Sequence, residues 1–213
     1  TFPIVGKVPY KGFFKKKDAE VERVDLEKQD LDVAQRGVSA FSTLGWFSDP
    51  LLSSMTNYGD EELVETIIHE TTHATVYIKN NAEFNERLAT FVGNRGMEAF
   101  YLSKQGAHSP AIQKAKLMAE DSKVFSQFIS AEIKNVEEFY TKNKSSTTLL
   151  KDREAVFNKL KENFEGSCKP RLKTEIYKFF GGQKINNAIL LNYKTYYQNL
   201  DIFEKAFEKI KIP

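Results

Sequence analysis

Cys168 is the only cysteine in the chain, so no intrachain disulfide can form, and a lone thiol in the run EGSCKPR reads as structural rather than as a nucleophile. No apolar run approaches the roughly 20 residues that span a bilayer, and no signal peptide opens the chain. Charge of one sign is missing as well. The net charge is +2, from 31 basic and 29 acidic side chains spread along the whole length, which leaves no electrostatic footprint for nucleic acid. The longest basic run, Lys15-Lys16-Lys17, is followed at once by Asp18, Glu20 and Glu22 and reads as a solvated helix start, with a membrane-surface or tether contact as the alternative. Neither an internal repeat nor a long low-complexity linker divides the chain.

What is present is an ordinary globular composition, 41% hydrophobic and 28% charged over 213 residues, enough to bury a substantial core in a single domain. The apolar, strand-like start TFPIVGKVPY predicts that further residues precede Thr1 in the native protein. Patterning predicts a strand over 2–8, a helix over 15–28 and a strand over 31–44, which is rich in Val, Ser, Thr and Phe. GWFSDPLLSSM then reads as an ordered loop built around Gly45, Asp49 and Pro50. From Gly59 the pattern turns helical. Gly59 or Asn57 is the candidate cap, Asp60, Glu61 and Glu62 fall in the first turn where the helix dipole favours acids, and Leu63, Ile67, Thr71 and Ala74 form a stripe. This helix should end near Lys79-Asn80-Asn81. A second should run from about 83 to 102, and three to five amphipathic helices should follow Pro110, broken at 144–146, Gly166, Gly181-Gly182 and Asn199. The expected class is α+β, with a β-containing part over 1–58, two site-bearing helices over 59–105 and a helical part over 106–213.

Two of the three histidines lie in IIHETTHATV. On a helix, residues four apart share a face, so His69 and His73 can aim two imidazoles at one ion. Glu70 lies about 100° round the helix from His69, close enough to take a proton from water beside that ion. Two zinc ligands and a general base from one turn of helix are the mechanical content of H-E-x-x-H. Ile67, Ile68, Thr71, Thr72, Ala74 and Thr75 are uncharged, unlike the flanks of a chance surface match. A catalytic zinc takes a third protein ligand and keeps one position open. NNAEFNERLATFVGNRG supplies Glu83 and Glu86. Glu86 is favoured, because after a reversal at 79–82 it falls early in the second helix, facing back toward the first, with small Ala89 and Thr90 one turn later to let the helices close. Glu83 reads as a helix-start acid and stays as the alternative ligand. Phe41 to Trp46 could form an edge strand that accepts an extended peptide, or could pack Trp46 and Phe47 into the core. His108 receives no role.

HETTH followed by NERLATF resembles the gluzincin arrangement, in which a glutamate from a second helix completes a His, His, Glu zinc site. VSAFSTLGWFSDPLLSSM before the helix and NERLATFVGNRG after it resemble the bacterial putative aminopeptidase family, with its STLGWFDDPLLS-like segment, HExxH and NExxATFV. Twelve residues separate His73 from Glu86, as in that family. The resemblance covers about 1–105 and returns at NNAILLNYKTYY, residues 186–197. It implies a zincin-like fold, a single zinc metallopeptidase domain over 1–213, Zn2+ held by His69, His73 and Glu86, and Glu70 as base. Peptides would be the substrate, with aminopeptidase action expected. Gluzincins commonly supply a tyrosine or histidine from elsewhere in the chain to stabilise the oxyanion, and the family's Thr-Tyr pair falls on Thr195-Tyr196, with Tyr193 and Tyr197 as rivals; the plainer alternative is that all three pack a helix with the phenol at the surface. Family members often carry a longer N-terminal region with a lipoprotein-type signal, and cysteines where this chain has Thr1 and Lys7, which implies the cell envelope or periplasm. The second reading is a catalytically silent, zinc-stabilised scaffold of the envelope. Glu70 argues against it, since a structural site has no use for a base.

Overall fold

The computed structural model describes residues 10–37, 51–53, 55 and 59–210. Among them 73% are helical and none is in a strand, so the expected α+β, zincin-like fold with a β-containing first part does not hold: the described chain is all helical. The strand expected over 2–8 lies outside the described residues, as do Phe41 to Trp46, with Phe47, and the cap candidate Asn57. The strand expected from Leu31 can be checked in its first seven residues, 31–37, which have no regular structure. Their polar groups are tied instead to helix ends: Asp32 accepts from Arg153 and Asn187, and the Val33 carbonyl accepts from the Asn186 side chain. A strand needs a partner ladder, and with none available among the described residues a β-rich composition does not make one.

Helix α1 (Lys16–Glu27) matches the expected first helix and buries none of its residues. Helix α2 (Asp60–Thr75) starts at the Gly59 cap, with three acids in its first turn. It stops four residues short of the expected end. Thr71, Thr72 and Thr75 hydroxyls bond back to the carbonyls of Ile67, Ile68 and Thr71, and β-branched Val76 is extended. The expected stripe also lies on the wrong face, since Ile67, Thr71 and Ala74 are exposed while Glu61, Thr72 and His73 are buried. Charged and imidazole groups occupy the inner face because partners wait there, for example Lys114 Nζ at 2.5 Å from Glu61.

Helix α3 (Ala82–Gln105) folds back on α2 and also packs on α4 (Pro110–Lys142), which is about 50 Å long at 1.5 Å per residue. Ser109 caps α4, accepting from the Ile112 amide, and Pro110 fills its first turn. Helix α5 (Leu149–Asn163) ends in a π-helical turn at Phe164–Cys168, where a break was expected at Gly166. Two 3-10 turns follow, then α6 (Asn187–Tyr197) and α7 (Asp201–Lys209), separated at Asn199, whose φ is 58°. The main core lies between α4, α5 and α6, with Phe125 stacked on Tyr177 at 4.4 Å and Phe164, Phe180 and Tyr193 around it. A smaller cluster of Met97, Tyr101, Ile112, Ala115 and Met118 joins α3 to α4. Helices α2, α3 and α6 meet beside the histidines.

Candidate metal centre

The α2–α3 hairpin is set by its connection. Asn85 is 1% exposed, and its amide bonds both the N–H and the carbonyl of Ile78 at 2.8 Å, fixing the loop against the first turn of α3. Asn80 takes a left-handed φ of 63°, tolerable for asparagine, and Asn81 caps α3 by accepting from the Phe84 amide. Glu86, next to Asn85, then faces α2. Close approach needs small residues on the facing surface of α3. Ala89 and Thr90 are buried there, but the tightest contacts are at glycines: a Cβ on Gly93 would lie 2.7 Å from Glu65 Oε1 and 3.1 Å from its carbonyl, and one on Gly96 would lie 2.9 Å from Ile68.

The consequence is a three-residue group. A Glu86 carboxylate oxygen lies 3.3 Å from His69 Nε2 and 3.3 Å from His73 Nε2, and the three ligand atoms are within 4.8 Å of one another. The rings of His69 and His73 meet edge to face at 4.9 Å. A direct bond between imidazolium and carboxylate would close to about 2.7–2.9 Å. The edge of a tetrahedron with bonds of about 2.0–2.1 Å is about 3.3–3.4 Å. The two 3.3 Å separations fall on that edge length, so the three groups that meet here could hold one ion. Two imidazoles and one carboxylate are a donor set that suits zinc; His73 turns Nε2 to Glu86, and its buried Nδ1 has no hydrogen-bond partner among the described residues.

Electrostatics follow from the same contacts. Burial pushes the Glu86 carboxyl up, but the two imidazoles bonded to it pull harder and hold it at about 2. Burial presses His69 down, and Glu86 together with Glu65 and Glu70 more than reverses this. Glu65, one turn before His69, is raised to about 7 by burial, against the pull of His69. Glu70 directly follows His69, and its charge acts on His69 and on the Tyr10 phenol.

Glu83, the alternative ligand, is not part of the group: its carboxylate is half exposed and accepts from Arg87 at 2.6 Å. That arginine also bonds the Lys194 carbonyl and the Gln198 side chain, tying α3 to the end of α6 that carries Tyr196. Of the three candidate tyrosines, Tyr193 and Tyr197 sit in and against the main core, Tyr193 accepting from Gln183 at 2.8 Å. Tyr196 stacks on His69, ring centroids 6.2 Å apart. Burial, and next the charge of Glu86, raise the Tyr196 phenol, so it stays a protonated donor at neutral pH. Sequence reasoning missed Asn85, Gly93, Glu65 and Arg36. Only the glycines left a signal, in the GNRG run of a helical stretch. Cys168 is buried, as a structural thiol should be.

A family model described as "Putative aminopeptidase" matches residues 1–212. No curated protein and no solved structure matches the chain.

Proposed function

The chain belongs to the "Putative aminopeptidase" family, and on that premise we propose that it is a zinc-dependent peptidase of the gluzincin type. His69, His73 and Glu86 hold the metal, Glu70 is the general base, and Tyr196 is the oxyanion donor. The observation that carries this reading is the single Glu86 oxygen poised 3.3 Å from both imidazole nitrogens. When bound there, zinc polarises a substrate carbonyl and makes water more acidic. Glu70 accepts the proton of the attacking water and returns it to the leaving amine. Tyr196 donates to the former carbonyl oxygen as negative charge develops on it. Burial of the two histidines and Glu86 keeps bulk water from competing for these contacts.

Metal analysis of the purified protein tests the first step, with one zinc per chain expected. Hydrolysis of aminoacyl reporters and of N-terminally blocked, internally quenched peptides, with and without chelator, tests the reaction and separates exopeptidase from endopeptidase action. Glu70→Gln should leave zinc content near normal while hydrolysis falls at least about a hundredfold. A wild-type protein that binds zinc but cleaves nothing would favour the scaffold reading instead.

A further inference from the structure

Arg36 lies in the irregular segment before the undescribed stretch, yet its guanidinium is held against α6. Nη2 donates to the Tyr196 hydroxyl at 3.1 Å, and the guanidinium carbon lies 5.3 Å from the centre of the Tyr196 ring. The contact is set from a distance. Asp32 accepts two bonds from Arg153 at 3.1 Å each and two from Asn187, at 3.1 Å from its amide and 2.8 Å from its side chain. Val33 is held by the α6 cap, its carbonyl accepting from Asn186 Nδ2 at 3.0 Å. The segment is thereby anchored at the start of α6. From Asn187 to Tyr196 the helix rises about 13 Å, and the four residues from Asp32 to Arg36 can span at most about 13 Å. The anchor thus delivers Arg36 alongside Tyr196. Among the described residues Arg36 bonds the Tyr196 hydroxyl.

We propose that Arg36 is a positioning residue for Tyr196, an inference that rests on the peptidase reading above. A phenol oxygen that accepts from a guanidinium has one proton left, and that proton must point away from the donor toward a second acceptor. Arg36 therefore fixes both the ring, which also neighbours His69, and the direction of its O–H. A flexible Tyr196 would have to be ordered during each turnover, whereas a clamped one is ready when charge appears on the substrate oxygen. The competing possibility is that Arg36 merely fastens its segment to α6, in which case its removal would lower stability without acting through Tyr196.

The test is a double-mutant cycle on the zinc-loaded protein with a peptide substrate, using Arg36→Met, Tyr196→Phe and the pair, with Arg36→Lys as the conservative variant. Tyr196→Phe should lower kcat by about 10²–10³. Arg36→Met should lower kcat by roughly tenfold or more with KM within about threefold and zinc content unchanged, and Arg36→Lys should recover part of the loss. The double variant should be no slower than Tyr196→Phe alone, because the arginine has nothing left to position. Losses that multiply in the double variant, or full activity in Arg36→Met, would overturn the proposal and leave the peptidase reading intact. No hydrolysis by the wild type would overturn that reading and this one with it. A parallel cycle by urea unfolding of the metal-free protein reads the contact without activity: non-additive midpoints are expected, and additive ones would overturn it.

Discussion

Replacing Gly93 with alanine tests whether the candidate centre depends on how closely α3 approaches α2. Two effects oppose each other. Alanine in a helix interior is favoured over glycine by about 1 kcal/mol. The added methyl would, however, lie 3.1 Å from the Glu65 carbonyl oxygen and 2.7 Å from its carboxylate, where ordinary contact begins at 3.4 Å. The carboxylate can rotate, but the carbonyl belongs to the α2 backbone, so the helices must separate by about 0.3 Å or the methyl must strain against it. Overpacking of this kind typically costs 1–3 kcal/mol, so a net loss of about 1 kcal/mol is expected. For a chain of this size that lowers the melting temperature by about 2–4 °C. The same displacement separates Glu86 from His69 and His73 by more than the ~0.2 Å tolerance of a metal site, and zinc affinity should fall by roughly tenfold. Thermal unfolding in chelator and zinc titration against a competing indicator measure the two effects. Gly166→Ala is the control, because nothing lies within 4 Å of a Cβ there. A Gly93→Ala protein that melts higher than wild type and binds zinc as tightly would refute the reasoning.

Glu65, raised from 4.5 to about 7, holds its proton more tightly in the folded than in the unfolded chain. Its ionisation cost is absent below about pH 4.5, grows as pH rises to about 7 and is constant above that, up to about 3 kcal/mol. In the metal-free protein Glu65→Gln should therefore add about 1–3 kcal/mol at pH 8 and almost nothing at pH 4 by urea unfolding. An equal gain at both pH values would dissociate the effect from titration. Bound metal should shrink it, since a nearby dication lowers the carboxyl's pKa. Burial pushes the Cys168 thiol up to about 11, with Arg171 pulling it partly back, so native protein at pH 8 should resist iodoacetamide and react only once unfolded. Native labelling at the rate of a free thiol would contradict this.

The candidate metal group was legible before folding because its geometry is mostly local. His69 and His73 share a face by helical periodicity alone, and Glu86 needs only a reversal and a second helix to come back to them. Breaks and helix count after Pro110 were legible for the same reason, since proline, glycine and asparagine act on their own backbone. The β-containing first part was misread because a strand exists only with a partner, and short β-rich runs carry no information about whether one is present. The buried face of α2 was misread because its inner positions are acids and histidines, which composition assigns to water until their partners are known.

The sequence by itself determined which residues could bind a metal and which helices would carry them, since both follow from spacing along one stretch of chain. Only the tertiary structure decided the rest. It set Glu83 on Arg87 and left Glu86 at the histidines, chose Tyr196 over its neighbours as the ring against His69, and brought Arg36 to Tyr196 across 160 residues of sequence. Contacts between distant segments depend on anchors such as Asp32 and close approaches such as Gly93, which are properties of the packed chain and leave no periodicity to read.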